Sequence, residues 1–499
     1  MSGLFSDLGL GLLVALEPAN LFYCLIGALL GTLVGVLPGL GPAATIAMLL
    51  PITFGLPTAA ALIMLAGIYY GAQYGGSTTA ILVNLPGESS SVVTTLDGFQ
   101  MARQGRAGPA LATAALGSFF AGCVATVLIA LFAPVLAEAA LKFGPAEYFS
   151  LMLLGLIAAV VLANGPFLKA VAMVLLGLQL GLVGADVATG VPRFTFGVPE
   201  LGDGIGFVAL AMGVFGIGDI VANLHTPERR GASATIGRLW PSREDWRAIW
   251  APILRGTALG SLLGLLPGGG ALLASFSAYA LEKKLSRTPE RFGRGAIEGV
   301  AAPEAANNAG AQTSFIPLLT LGIPANAVMA LMVGAMLIHG VPPGPQILTD
   351  HKALFWGVVA SMWVGNVMLV ILNLPLIGIW VRVLSVPYRL LFPAIVLFCL
   401  IGAYSVSNSW FDVLLVALFG LVGYLFHLLH CEPAPLLLGF VLGPLMEENF
   451  RRAMQLARGD PLVMLQRPIT LAFLLAAAAL LVLLVLPAVR QVRAEAFRE

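Results

Sequence analysis

The sequence predicts an all-α polytopic membrane protein of two inverted-topology repeats. Each repeat carries Gly/Pro-broken re-entrant helical hairpins, and the whole holds roughly 10–12 spans of about 17–25 apolar residues. Three observations predict this. Of 499 residues 59% are hydrophobic and only 10% charged, against about 25% charged in a soluble domain. The string GVLPGLG at 35–41 returns as GLLPGGG at 264–270. Finally, the basic residues that follow the two copies are distributed in opposite senses.

Continuous apolar runs place spans at 109–133, 147–163, 167–184, 205–223, 353–374, 389–406, 411–428 and 468–489. The stretches 20–86 and 251–341 are as apolar, but Gly and Pro interrupt them every few residues. Long Leu/Ala-rich runs without alternation argue against a membrane β-barrel. The first basic residue is Arg103, so the N-terminus lacks the basic region of a cleaved signal peptide. Cys24, Cys123, Cys399 and Cys431 form no CxxC pair and read as small hydrophobes. A net charge of +1 decides nothing.

The chain therefore divides into an N-terminal segment (1–19), a first transmembrane repeat (20–224), a cytoplasmic amphipathic linker (225–250), a second repeat (251–450), and a C-terminal loop with the last span (451–499). In the linker, EDWRAIW reads as an interfacial helix with Trp246 and Trp250 at headgroup level.

A shift of 229 carries Gly27, Gly31, Gly35, Pro38, Gly39 and Gly41 onto Gly256, Gly260, Gly264, Pro267, Gly268 and Gly270. A weaker pair follows, LVNLPGES at 82–89 and LTLGIPAN at 319–326, matching Pro86 to Pro324. After the first motif the loop TFGLPT has no basic residue, whereas its counterpart carries Lys283, Lys284, Arg287, Arg291 and Arg294. After the second motif the difference reverses: Arg103 and Arg106 follow one copy, and nothing basic before Lys352 follows the other. Basic loops stay cytoplasmic, so equivalent loops lie on opposite faces. Basic segments on both sides of LPGGG make that stretch a hairpin turning at Pro-Gly-Gly. Arg451, Arg452, Arg458 and Arg467 precede the last span and Arg490, Arg493 and Arg498 follow it, so the rule does not orient it.

Proline removes a backbone donor and glycine relaxes the chain, so neither motif continues as helix. In hydrocarbon such a break survives only inside protein or against a water-filled cavity. The helix that restarts presents free N–H groups and a positive dipole end, which suit an anion. No Lys or Arg occurs from 1 to 102 or from 295 to 351, leaving backbone and neutral side chains as donors. The candidate substrate residues are Gly39, Gly41, Ser77, Thr78, Thr79, Asn84, Gly87 and Ser89 in the first half, with Ser90 beside them. In the second half they are Gly268, Gly269, Gly270, Asn307, Asn308, Thr313, Ser314 and Asn326, with Ser275, Ser277 and Gln312 as further donors. Backbone carbonyls could hold Na⁺ as coupling ion, with Glu88, Glu298 or Glu304 as the carboxylate for Na⁺ or a proton; no other cofactor, no metal site and no nucleic-acid partner is expected. The plainer reading is that Gly27, Gly31, Gly35 and their twins are helix-packing faces, and that single Ser and Thr residues bond their own backbone. Glu298 and Glu304 also suit an interfacial loop. His427 and His430, near Cys431 and Glu432, read as interfacial.

Long strings then resemble a known family: GVLPGLGPAATIAMLLPITF, YYGAQYGGSTTAILVNLPGESSSVVTTLDGFQMARQGRAGPAL, and GLLPGGGALLASF followed by FGRGAIEGVAAPEAANNAGAQTSFIPLLTLGIPANAVMALMVGAMLIHGVPPGPQIL. From about residue 20 to about residue 460 the chain resembles the TctA-like large membrane subunit of bacterial tripartite tricarboxylate transporters. One departure is Ser89, which follows Glu88 where the family commonly has proline. The resemblance implies a permease that works with a small membrane subunit and a periplasmic solute-binding protein in the bacterial inner membrane. It implies carboxylate uptake driven by an ion gradient; the inverted repeat in turn suggests alternating access in an elevator-like or rocking motion. The sequence is consistent in lacking a Walker-type phosphate loop. An intramembrane enzyme would need convergent catalytic groups at membrane depth, but His225, His339, His351, His427 and His430 lie near span ends. A channel or scaffold is the other alternative, distinguished by whether flux saturates and needs a co-ion. The carboxylate, the coupling ion and any homo-oligomer stay open.

Overall fold

The computed structural model describes residues 2–37, 41–163, 166–186, 189–223, 238–266, 270–384 and 388–485. The chain is helical throughout them, apart from a ribbon of two short antiparallel strands, β1 (Gly184–Ala185) and β2 (Pro192–Arg193). α1 (Ser2–Ala15) leads into α2 (Pro18–Val36), α3 (Pro42–Thr53) and α4 (Thr58–Val83). A 3₁₀ turn, Ser89–Ser91, precedes α5 (Val92–Arg103), which is followed by α6 (Ala107–Ala140), α7 (Pro145–Leu162) and α8 (Phe167–Gly181). α9 (Phe207–Ala211) passes through a π-helical stretch, Met212–Ile217, into α10 (Gly218–Asn223).

The second half opens with α11 (Arg243–Leu263), α12 (Gly270–Leu285), α13 (Glu298–Thr313), α14 (Phe315–Leu321) and α15 (Ala327–Ile338). It continues with α16 (Ile347–Asp350), α17 (Lys352–Asn373), α18 (Ile377–Val383), α19 (Tyr388–Ser407) and α20 (Trp410–Leu428). α21 (Ala434–Leu456), α22 (Val463–Gln466) and α23 (Pro468–Val485) close the chain.

Among the described residues, five helices are long and apolar enough to cross a membrane: α2, α6, α7, α17 and α20. Four coincide with expected continuous spans; the fifth, α2, lies in a stretch expected to be broken. It stays whole because its glycines precede the proline, which falls beyond the helix end at Val36. α6 has 34 residues, about 50 Å at 1.5 Å per residue, more than the roughly 30 Å of a hydrocarbon core. α11 runs unbroken across residue 250: Ser242 and Asp245 cap it reciprocally, and the helix continues through Pro252 to Leu263. EDWRAIW is thus the first turns of α11 rather than a separate helix, with Trp250 half exposed and its ring 6.4 Å from that of Trp246.

In lipid there is no hydrophobic drive between helices, so close packing of small residues holds them together. α2 lies on α4 and α11 on α13 through matching contacts. Cβ atoms added at Gly27, Gly31 and Gly35 would strike the backbone of Met64, Ile68 and Ala72. Those added at Gly256, Gly260 and Gly264 would strike Ala302, Ala306 and Gly310. The two sets of partners are offset by 238, the same shift that carries Pro86 onto Pro324. The packing reading of these glycines is therefore the one the geometry supports.

The halves are tied by Asp97 of α5, which is fully buried. One of its carboxylate oxygens accepts the backbone N–H groups of Gly293, Gly295 and Ala296 at 2.9, 2.7 and 2.8 Å. The other accepts the Tyr279 hydroxyl at 2.9 Å. Asp97→Asn keeps one acceptor oxygen but removes the charge that strengthens these bonds. It is expected to cost about 2 kcal/mol, read as a lower unfolding temperature in detergent and faster proteolysis near Arg294.

Candidate functional site

The two helix breaks are built alike. α4 ends at Asn84 in the left-handed conformation, φ 59°, and α14 ends at Gly322 with φ 71°. Left-handed closure stops a helix within one residue, and Gly and Asn tolerate it best. Each end is followed by a proline, Pro86 or Pro324, and then by a residue that caps the next helix. Glu88 caps the Ser89–Ser91 turn, accepting from the Ser90 N–H at 2.9 Å. Asn326 caps α15, accepting from the Met329 N–H at 3.0 Å. Asn84 and Gly322, Pro86 and Pro324, and Glu88 and Asn326 share the offset of 238.

Tyr69 of α4 stands between them. Asn326 Nδ2 donates to its hydroxyl at 3.4 Å, and Ser314 and the Glu88 carboxylate lie close enough to act on it. The Ser90 hydroxyl donates to Gln73 Oε1 at 2.8 Å and also contacts Glu88. One turn further along α4, the Ser77 hydroxyl reaches Gln73 O at 2.9 Å and Glu304 Oε2 at 2.6 Å. Thr94 of α5 donates to the other Glu304 oxygen, and Asn307 reaches Oε2 at 3.5 Å. Neutral groups thus lie between two buried carboxylates, Glu88 and Glu304, meeting at Gln73, whose side chain faces Ser90 and whose main-chain carbonyl faces Ser77. The network extends through Asn308, which donates to Ser118 Oγ of α6 at 2.7 Å.

Burying an ionised carboxylate costs several kcal/mol unless a counter-charge or proton accompanies it. The polar contacts of Glu304 are Ser77, Thr94 and Asn307, all neutral, and the residue is fully buried. Such a carboxyl serves naturally as the place where a small cation or proton is taken up.

The expected residues fall into three groups. Ser77, Ser90, Glu88, Glu304, Asn307, Asn308, Ser314 and Asn326 lie at this site, and Gly270, φ +44°, opens α12 beside it, where an added Cβ would lie 3.3 Å from Asn326 Nδ2. Others serve local structure. Thr79 closes α2 by donating to Val36 O at 2.9 Å, Thr78 and Thr313 bond their own helices, and Gly87 is wedged against Gly35 and Gly76. Asn84 and Ser89 are exposed, and Gly41 caps α3 with open space beside it. Gly39, Gly268 and Gly269, with Pro38, Pro267 and His225, lie outside the described residues.

The loop expected around Glu298 and Glu304 is helix: both lie on α13. Glu298, the first residue of the helix and partly buried, pairs with Arg291 at 3.5 Å; five residues of helix separate it from Glu304. Sequence reasoning missed Tyr69, Gln73, Thr94, Asp97 and Ser118. Gln73, an amide within the 26-residue apolar run of α4, was the one carrying a readable signal.

A chain whose described residues are almost all helical, with five helices among them able to cross a bilayer and buried polar groups gathered at two helix breaks, is a multi-pass membrane protein. A family model described as "Tripartite tricarboxylate transporter TctA family" matches residues 21–438, and the chain belongs to that family: it is a transporter membrane subunit, a permease and not an enzyme. It is 60% identical over 500 residues, covering 100% of both chains, to a protein of Agrobacterium vitis described as an uncharacterized 52.8 kDa protein in the TAR-I ttuC' 3' region. A second Agrobacterium vitis protein, described as uncharacterized in the TAR-II ttuC' 3' region, is 59% identical over 240 residues, which is 48% of this chain and 99% of the relative. No solved structure matches.

Proposed function

We propose that the chain is the large permease subunit of a binding-protein-dependent secondary transporter in the bacterial inner membrane. It imports tricarboxylates or related carboxylates, driven by a Na⁺ or H⁺ gradient, with a periplasmic solute-binding protein and a small membrane subunit as partners. The observation that carries this reading is the pair of matched helix breaks around Tyr69, in a region whose sequence has no Lys or Arg from 1 to 102 or from 295 to 351. An anion there is held by helix N-termini, amides and hydroxyls, and released easily because no fixed cation traps it. Glu88 and Glu304 take up the coupling ion. The charge reversal between loops and the shared packing offsets support two inverted repeats with re-entrant hairpins, a design that suits alternating access by an elevator-like motion.

The test is radiolabelled citrate and other carboxylates entering proteoliposomes that contain both membrane subunits, with the binding protein added and a Na⁺ or H⁺ gradient imposed. Saturable uptake under one gradient is expected. Asn326→Ala removes an α15 cap worth about 1 kcal/mol and the amide facing Tyr69, and is expected to raise the half-saturating carboxylate concentration about tenfold. If no carboxylate moves under either gradient, in a preparation that binds its partners, the reading is wrong.

A further inference from the structure

Beside the Glu304 network lies a second feature that neither the breaks nor the family assignment explains. Between α4, α6 and the end of α17 is a cavity of ≈ 10 Å³, enough for a single water or an ion of that size. Tyr74, Ser77 and Thr78 line it from α4, Ser118 from α6, and Asn373 from the end of α17; the rest of the wall is alanine and leucine of α6.

All of the polar protons of this wall but that of the Tyr74 hydroxyl are directed elsewhere. Ser77 donates to Glu304 or to Gln73 O. Thr78 Oγ1 donates to Tyr74 O at 3.3 Å, and Ser118 Oγ to Glu304 O at 3.4 Å. Asn373 Nδ2 donates to Leu369 O at 2.9 Å and to Thr32 at 3.4 Å. Asn373 Oδ1 and the Tyr74 hydroxyl have no hydrogen-bond partner, although each residue is only 3% exposed. The wall is therefore rich in oxygen lone pairs and poor in available protons. A water has two protons to offer such a wall. A hard monovalent cation accepts every lone pair at once, and a carboxylate stands one hydrogen bond away through Ser77.

We propose that this cavity is a monovalent-cation site of Na⁺ size, with oxygens of Tyr74, Ser77, Thr78, Ser118 and Asn373 as ligands and Glu304 as the counter-charge. α4 links it to the breaks: Tyr69 and Gln73 lie one turn before Tyr74 and Ser77 on the same helix. An ion at the cavity orders the turn that presents Tyr69 to Asn326, so that cation and anion bind together. The coupling role rests on the permease reading, whereas cation binding itself does not.

The experiment is thermal unfolding of the purified full-length chain in detergent, with Na⁺ replaced stepwise by K⁺ or choline at constant ionic strength. Na⁺ is expected to raise the unfolding temperature saturably and more than K⁺. Thr78→Val and Tyr74→Phe preserve shape and remove one oxygen each. Both are expected to unfold in choline as the parent does, and to need about tenfold more Na⁺ or beyond for half the effect. An unfolding temperature indifferent to Na⁺, or a Na⁺ effect unchanged in both variants, overturns the site and leaves a structural water only. Carboxylate uptake under an H⁺ gradient without Na⁺ binding sinks the site and spares the permease reading. Na⁺ binding in a chain that moves no carboxylate does the reverse.

Discussion

Glu304→Gln is expected to fold and reach the membrane, yet to lose ion-driven carboxylate accumulation by about tenfold or more, one factor of ten for each 1.4 kcal/mol of charge-dependent interaction removed. The glutamine amide occupies the same space. Its oxygen still accepts from one neighbour, and the Ser77 and Thr94 hydroxyls can rotate to accept from its NH₂ group. What disappears is the charge that a cation or proton must meet. Exchange of carboxylate across a membrane without an imposed gradient needs no such charge and is expected to survive, which separates loss of coupling from loss of the site. Glu304→Leu differs, because it leaves Thr94 and Asn307 without their buried partner at roughly 1–3 kcal/mol each, and it is expected to unfold at lower temperature. Full gradient-driven accumulation by Glu304→Gln would show that the coupling ion binds elsewhere.

Much of this organisation was legible from residue type alone. The glycine spacing marked where two helices must touch backbone to backbone, and the prolines marked where α2, α4, α11 and α14 must stop. Helix breaks were legible because Pro and Gly act locally, through a missing donor and an available left-handed conformation. The network around Glu304 was not, because it is assembled across the chain: Ser77 and Glu304 are 227 positions apart, and Thr94 and Glu304 are 210 apart. Ser77 and Glu304 were each candidates, but nothing local joined them. Asp97 looked like an ordinary polar residue on a short helix. Its role is set by three backbone N–H groups brought to it from nearly 200 positions away. Glu298 misled for the opposite reason, since its neighbourhood in sequence is shared with Glu304 while its neighbour in space is Arg291.

The largest effect on stability is expected from filling the backbone contacts of the two glycine ridges. A Cβ on Gly31 lands on the Ile68 carbonyl, and one on Gly260 lands on the Ala306 carbonyl. In both places the obstacle is main chain in the middle of a helix, so no side-chain rotation relieves it and the helices must part. Overpacking usually costs about 1–3 kcal/mol and sometimes more; with leucine at either position the expected cost exceeds about 3 kcal/mol, seen as loss of monodisperse protein in detergent. Alanine should fall short of leucine at each site. Gly55→Ala, where a new Cβ meets nothing within 4 Å, is expected to change stability by less than about 0.5 kcal/mol. The comparison bears on the repeat as well as on packing. Gly31 and Gly260 sit at the same place in two helix pairs that share no residue, so equal penalties that add in the double variant are what a duplicated, independently packed unit requires. A severe Gly31→Ala beside a silent Gly260→Ala would mean that the second half no longer depends on the close approach its sequence retains.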